Sequence, residues 1–126
     1  MAKNVIYSPK APAPIGPYSQ AIQSGNILFV SGQIALETTT GDLLTGNIQE
    51  ESHQVMKNIQ EILQAASYDF SHVVKTTIFL KDMNNFPQVN QVYGSYFTEN
   101  PPARETVEVS RLPKDVNVEI SCIAVK

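Results

Sequence analysis

The chain has 126 residues, 42% of them apolar and 17% charged, which describes one globular domain over 1–126 and excludes a disordered chain. Its 12 acidic and 9 basic side chains leave a net charge of −3, and it has no Trp. Nucleic-acid binding rests on a basic footprint with aromatic stacking surfaces, so that class is disfavoured.

Residues 8–17 hold Pro9, Pro12, Pro14, Gly16 and Pro17. Proline fixes φ and removes a donor, so a draped loop is expected there. Tyr18 to Ser24 reads as a short strand, Gly25-Asn26 as a turn, and Ile27-Leu28-Phe29-Val30 as an apolar strand ended by Ser31-Gly32-Gln33. Gly41-Asp42 marks another turn between Glu37 and Leu44. Asn47, with Glu50 three residues later, forms a capping-box pattern, and Glu50 and Glu51 suit the positive end of a helix dipole. Ile48, Val55, Met56, Ile59, Ile62, Leu63 and Ala66 then share one face of a helix of about 19 residues.

Val73 to Leu80 is rich in β-branched residues and predicts a strand. Beyond Asp82-Met83-Asn84-Asn85, the residues Phe86, Val89, Val92, Tyr93, Tyr96 and Phe97 form a second amphipathic helix, with Pro87 in its first turn and Asn100-Pro101-Pro102 as its stop. Ala103–Ser110 and Val116–Val125 predict two final strands joined by Leu112-Pro113-Lys114-Asp115. The order β-β-β-α-β-α-β-β, with hairpins at each end, predicts an α+β domain with both helices on one face of a mixed sheet. Ile27–Val30 and Ile120–Val125 are apolar on both faces. Two helices cover one face only, so a self-complementary homo-oligomer is expected to cover the other.

A single cysteine, Cys122, allows no intrachain disulfide, Cys-pair zinc site or CxxC motif, and it is in phase with core positions. His53 and His72 lack a second ligand at metal spacing, so no metal is expected. The N-terminus has no long apolar stretch and no run nears the ~18 residues of a membrane span, so a cytoplasmic protein without a signal peptide is expected.

Arg104, stiffened by the preceding prolines, offers a fork that matches a carboxylate bidentately; an ordinary salt bridge is the alternative. Glu119 interrupts an apolar strand on a face shared with Asn117, Ser121, Ile123 and Val125. It is a candidate acid or base, or else a solvated strand end. Tyr18 after Gly16-Pro17 either caps a pocket or packs a loop. Gly32 permits close backbone approach to a ligand, or marks a bulge. Ser31 has no neighbouring histidine to make it a nucleophile.

Several motifs in order resemble one family. They are Ile15-Gly16-Pro17-Tyr18-Ser19-Gln20-Ala21, Ser31-Gly32-Gln33-Ile34, Val74-Lys75-Thr76-Thr77, Val89-Asn90-Gln91-Val92-Tyr93, Pro102-Ala103-Arg104, and Leu112-Pro113-Lys114 with Val118-Glu119-Ile120. From about residue 8 to the end, the chain resembles the reactive intermediate deaminase A family, also called YjgF/UK114. The resemblance implies a fold like that of small trimeric chorismate mutases and a homotrimer with a ligand cleft at each subunit interface. It implies hydrolysis of 2-imino acids, formed from 2-aminoacrylate or 2-aminocrotonate, to 2-keto acids and ammonia, with no metal or organic cofactor. Arg104 would grip the substrate carboxylate and Glu119 would handle the attacking water. Gly32, with Ser31 beside it, would contribute backbone contacts; Tyr18 would close the pocket, and Phe86 and Asn90 would line it.

The chain departs from the family pattern in Glu105-Thr106, where small residues or a cysteine usually follow the arginine, and in Ser67, where a glycine is usual. Strand alternation should turn Glu105 away from Arg104. The alternatives are a regulatory module that binds a small carboxylate without turnover, and a ribonuclease or translation inhibitor, which the charge balance disfavours.

Overall fold

The computed structural model describes residues 3–126. Its strands are β1 (Asn4–Ile6), β2 (Ala21–Ser24), β3 (Ile27–Gln33), β4 (Val73–Leu80), β5 (Ala103–Glu108) and β6 (Val118–Val125). Its helices are α1 (Ile48–Ala65) and α2 (Phe86–Gly94). The strands form one mixed sheet in the order β1-β2-β3-β6-β4-β5, parallel only between β4 and β5. The fold is α+β with the expected element order.

Helix α1 starts where Asn47 Oδ1 accepts the backbone N–H groups of Gln49 and Glu50. It ends in a Schellman turn: Tyr68 N–H reaches Leu63 O at 2.8 Å and Ser67 N–H reaches Gln64 O at 3.0 Å. Ser67 sits at φ 64°, the left-handed position that glycine fills without strain. The apolar face of α1, with Val55, Met56, Ile59, Ile62 and Leu63, packs on Leu28 of β3 and on Ile120, Cys122 and Ala124 of β6. Burial pushes the Cys122 thiol up to about 12, so it is an inert core group.

Four sequence expectations need correction. The third early strand is β1, and the Glu37–Leu44 stretch makes only an isolated Leu36–Leu43 bridge. Strand β2 begins at Ala21, because Tyr18 N–H curls back to Gly16 O at 2.8 Å in the proline-rich loop. Helix α2 stops at Gly94, since the N–H groups of Ser95, Tyr96 and Phe97 bond three residues back and tighten the last turn. Finally, β5 and β6 form no hairpin. The exposed, charged β5 takes the sheet edge beside β4, reached through α2, while β6, buried on alternate residues, enters between β3 and β4.

Both helices lie on one sheet face. On the other, Phe29 is 46% exposed, Val107 41% and Val5 64%. Among the described residues, no helix is long and apolar enough to cross a membrane.

Candidate functional site

Arg104 lies on β5 opposite Thr76 of β4, so it faces the helices. Its guanidinium carbon lies 5.3 Å from the Phe86 ring centroid and 5.0 Å from that of Tyr93. Its Nη1 donates to Asn90 Oδ1 at 2.7 Å. Tyr93 is itself fixed, because its hydroxyl and Thr76 Oγ1 share a hydrogen bond of 2.7 Å. Burial raises the Tyr93 hydroxyl above its ordinary pKa and keeps it neutral. Among the described residues no carboxylate pairs with Arg104. The guanidinium is thus oriented by an amide and two rings, and its charge is left for a ligand. A cavity bounded by Asn90, Tyr93, Phe97, Pro102 and Arg104 opens beside it.

Glu105 does turn away. On the opposite face it accepts from Thr77 Oγ1 at 3.0 Å and pairs with Lys75 Nζ at 3.2 Å. These contacts hold its carboxyl below the usual range, and it does not compete for Arg104.

Glu119 of β6 faces the uncovered side of the sheet, opposite Phe79 of β4. Partial burial raises its pKa, with no charged neighbour to offset the effect. Its carboxyl lies against Gly32, at a bulge where the β3–β6 register shifts between Val30 and Gln33. A Cβ on Gly32 would meet Glu119 Cδ at 2.8 Å, so only glycine leaves room for this carboxyl. Gly32 also lines a small, mostly apolar hollow with Ile15, Tyr18, Gln20, Gln33 and Lys114.

Of the residues singled out from sequence, the structure gathers Phe86, Asn90 and Arg104 in one cluster. It links Tyr18 and Glu119 through Gly32 in another. Arg104 and Glu119 lie on opposite faces of one sheet and do not meet within the chain. The Ser31 hydroxyl donates to Ser19 O at 2.6 Å and braces the loop beside Gly32. Gln20 carries no signal of its own in the sequence, yet its buried amide links Ser8, Ala11 and Pro12 and shapes the loop that carries Tyr18. The sequence predicts Tyr93 only as a helix-face residue; its i, i+3 spacing from Asn90 is the available signal for more.

The model of the family described as endoribonuclease L-PSP matches residues 8–126. The chain belongs to this family, also known as YjgF/RidA. It is 54% identical over 124 residues to a RutC family protein of Pyrococcus horikoshii, a match covering 98% of each chain. A Mus musculus protein named 2-iminobutanoate/2-iminopropanoate deaminase is 48% identical over 124 residues, covering 98% of this chain and 92% of that one. Among solved structures, Escherichia coli TdcF with bound serine superposes with a TM-score of 0.94 at 36% identity, over 98% of each chain.

As a YjgF/RidA chain, this protomer presents two unlike polar groups: an oriented guanidinium suited to a carboxylate, and a desolvated carboxyl suited to carrying a proton. Each lacks the other in its own cluster.

Proposed function

We propose that this Rid-type protein is a deaminase that hydrolyses 2-imino acids such as 2-iminobutanoate and 2-iminopropanoate to 2-keto acids and ammonia. In this reading it works as a homotrimer, with the Arg104 cluster of one protomer facing the Tyr18–Gly32–Glu119 cluster of the next. The observation that carries the reading is the pair of complementary groups, an oriented Arg104 without a carboxylate partner and a Glu119 with a raised pKa. The uncovered apolar sheet face around Phe29 and Val107 supports the assembly.

In the proposed reaction, Arg104 holds the substrate carboxylate through paired N–H donors. The protonated imine carbon is already electrophilic. Glu119 takes a proton from water as its oxygen bonds to that carbon, and the C=N π pair moves to nitrogen. The proton on Glu119 then passes to the amine nitrogen of the tetrahedral intermediate. The C–N bond breaks and ammonia leaves as the hydroxyl proton passes to the Glu119 carboxylate and the carbonyl forms; Glu119 then gives that proton to the departing ammonia, which leaves as ammonium. Water and imine are consumed in equal amounts. The scheme draws on no metal or organic cofactor. A carboxyl with a raised pKa suits these proton transfers near neutral pH.

An amino-acid dehydratase that generates the imine in solution tests this reading. Adding the protein should speed keto-acid formation and reduce the imine trapped by semicarbazide. An unchanged rate of imine decay contradicts it.

The family's description as endoribonuclease L-PSP favours a second reading, RNA cleavage. Here His53 Nδ1 bonds the Tyr96 hydroxyl at 2.9 Å and His72 caps the turn at Asp69, so neither histidine stands in the clusters described. RNA cleavage that persists through purification and in Arg104→Ala would support the second reading.

A further inference from the structure

Glu51 is the second acidic residue in the first turn of α1, where a solvated carboxylate is ordinary. Here it is fully buried, at 0% exposure. Its Oε2 accepts from the backbone N–H of Asn117 at 2.7 Å and of Val118 at 3.2 Å. Its Oε1 accepts from Asn117 Nδ2 at 2.8 Å. Asn117 O takes a further bond from Lys81 N–H at 3.1 Å.

These contacts fall where the sheet leaves a gap. Pairing of β3 with β6 ends at Gln33–Ile120, while β4 continues to Leu80–Val118. On the β3 side, the Val118 N–H at the start of β6 therefore has no strand to meet, and the Asn117 N–H lies just before the strand. A buried N–H without a partner is costly, and the carboxyl oxygens of Glu51 supply the acceptors that β3 no longer provides. The next residue is Glu119, whose carboxyl has so little clearance against Gly32 that no Cβ fits between them. The segment just before this point is also conformationally unusual, with Lys114 and Asp115 both at positive φ.

We infer that Glu51 is a positioning residue for Glu119: by standing in for β3 at Asn117 and Val118, it fixes the start of β6 and sets the Glu119 carboxyl against Gly32. The inference rests on the proposed role of Glu119 in imine hydrolysis. Glu51 itself touches no substrate. It acts from the helix side through two residues of backbone, so its loss should disturb the chemical step more than substrate binding at Arg104.

The test compares Glu51→Ala and Glu51→Gln in the dehydratase-coupled assay, with circular dichroism and sedimentation as checks on fold and assembly. Glu51→Ala should lower kcat at least ~10-fold and leave KM within about twofold, because a displaced catalytic group costs transition-state stabilisation rather than uniform binding. Glu51→Gln should stay within about threefold of wild type. Its Oε1 can accept both backbone N–H groups, and the Asn117 amide can turn to accept from its Nε2. A merely structural role predicts no kcat-specific loss. Wild-type kcat in Glu51→Ala, a rise in KM alone, or a Glu51→Gln as impaired as Glu51→Ala would overturn the inference.

If Glu51→Ala does not fold, Asn117→Asp replaces it, since this variant sets two carboxyls face to face. Adding Glu51→Gln to Asn117→Asp should restore kcat, and failure to restore it counts against the inference. If the wild-type protein hydrolyses no imine, the deaminase reading fails by itself. The positioning of Glu119 is then read from its carboxyl 13C titration. In folded Glu51→Ala the midpoint should fall towards the ordinary carboxylate value as water reaches the group, and an unmoved midpoint overturns the inference.

Discussion

Gly32 and Glu119 occupy each other's space: the carboxyl of Glu119 fills the volume that a side chain at Gly32 would need. The absence of one side chain thus creates the seat of another. Gly32→Ala should leave the fold in place at little cost in stability, because the new methyl meets the mobile end of the Glu119 side chain, and push Glu119 out of position. With Glu119 displaced, kcat should fall by at least ~10²-fold, a loss typical of misplaced catalytic groups. Thermal unfolding and steady-state kinetics on the same preparation separate the two effects.

Arg104 holds its charge ready through Asn90 and two rings. Arg104→Ala should remove most activity and keto-acid binding. Arg104→Lys should recover little, because an ammonium cannot reproduce a bidentate fork. Asn90→Ala should raise KM about 3–10-fold by releasing the guanidinium, on the scale of one ordinary hydrogen bond. Isothermal titration with 2-ketobutyrate reads the changes in binding, and the dehydratase-coupled assay reads those in activity and KM.

The raised pKa of Glu119 has consequences for both stability and rate. A carboxyl whose folded pKa lies above its unfolded value binds protons more tightly in the folded state. Its contribution to stability is therefore fully present below the unfolded value, and it is lost as pH rises through the folded one. Glu119→Gln should accordingly melt higher than wild type at pH 7–8. The difference should close as pH falls through the raised pKa towards the ordinary range near 4.5. In the wild type, kcat/KM should rise with pH through that same raised value as the carboxylate forms. Melting curves and pH–rate profiles check the two halves separately.

Ser67 ends α1 in the left-handed region at φ 64°. Ser67→Gly should relieve about 0.5–1 kcal/mol of backbone strain and raise the Tm by a few degrees. Far from both clusters, it should leave kcat unchanged.

Phe29 stands 46% exposed on the uncovered sheet face. Phe29→Asp should dissociate the proposed trimer towards a species of ~14 kDa and abolish turnover, because a charge in the centre of an apolar interface is strongly unfavourable. Sedimentation velocity reads the mass.

The sequence made the long elements legible because their periods are strong. The α1 stripe from Ile48 to Ala66 and the β-branched run Val73–Leu80 needed no tertiary information. The β5–β6 hairpin failed because adjacency in sequence is only a weak guide to pairing: β6 is apolar enough for the sheet centre, whereas β5 suits an edge. Glu119 stands out as a polar group in an apolar strand and Arg104 as a guanidinium behind two prolines, but their placement on opposite faces depends on strand register. Glu51 was hidden for a different reason. An acidic residue in a first helical turn normally answers the dipole, and only the early end of β3 shows that this one completes the sheet.

The central claim is a site shared between protomers, and subunit mixing tests it most directly. Arg104→Ala and Glu119→Gln should each be nearly inactive. After denaturation, mixing in equal amounts and refolding, random trimers should recover about a quarter of wild-type activity, since one interface in four pairs an intact Arg104 with an intact Glu119. Activity no greater than the sum of the separate variants would contradict the account.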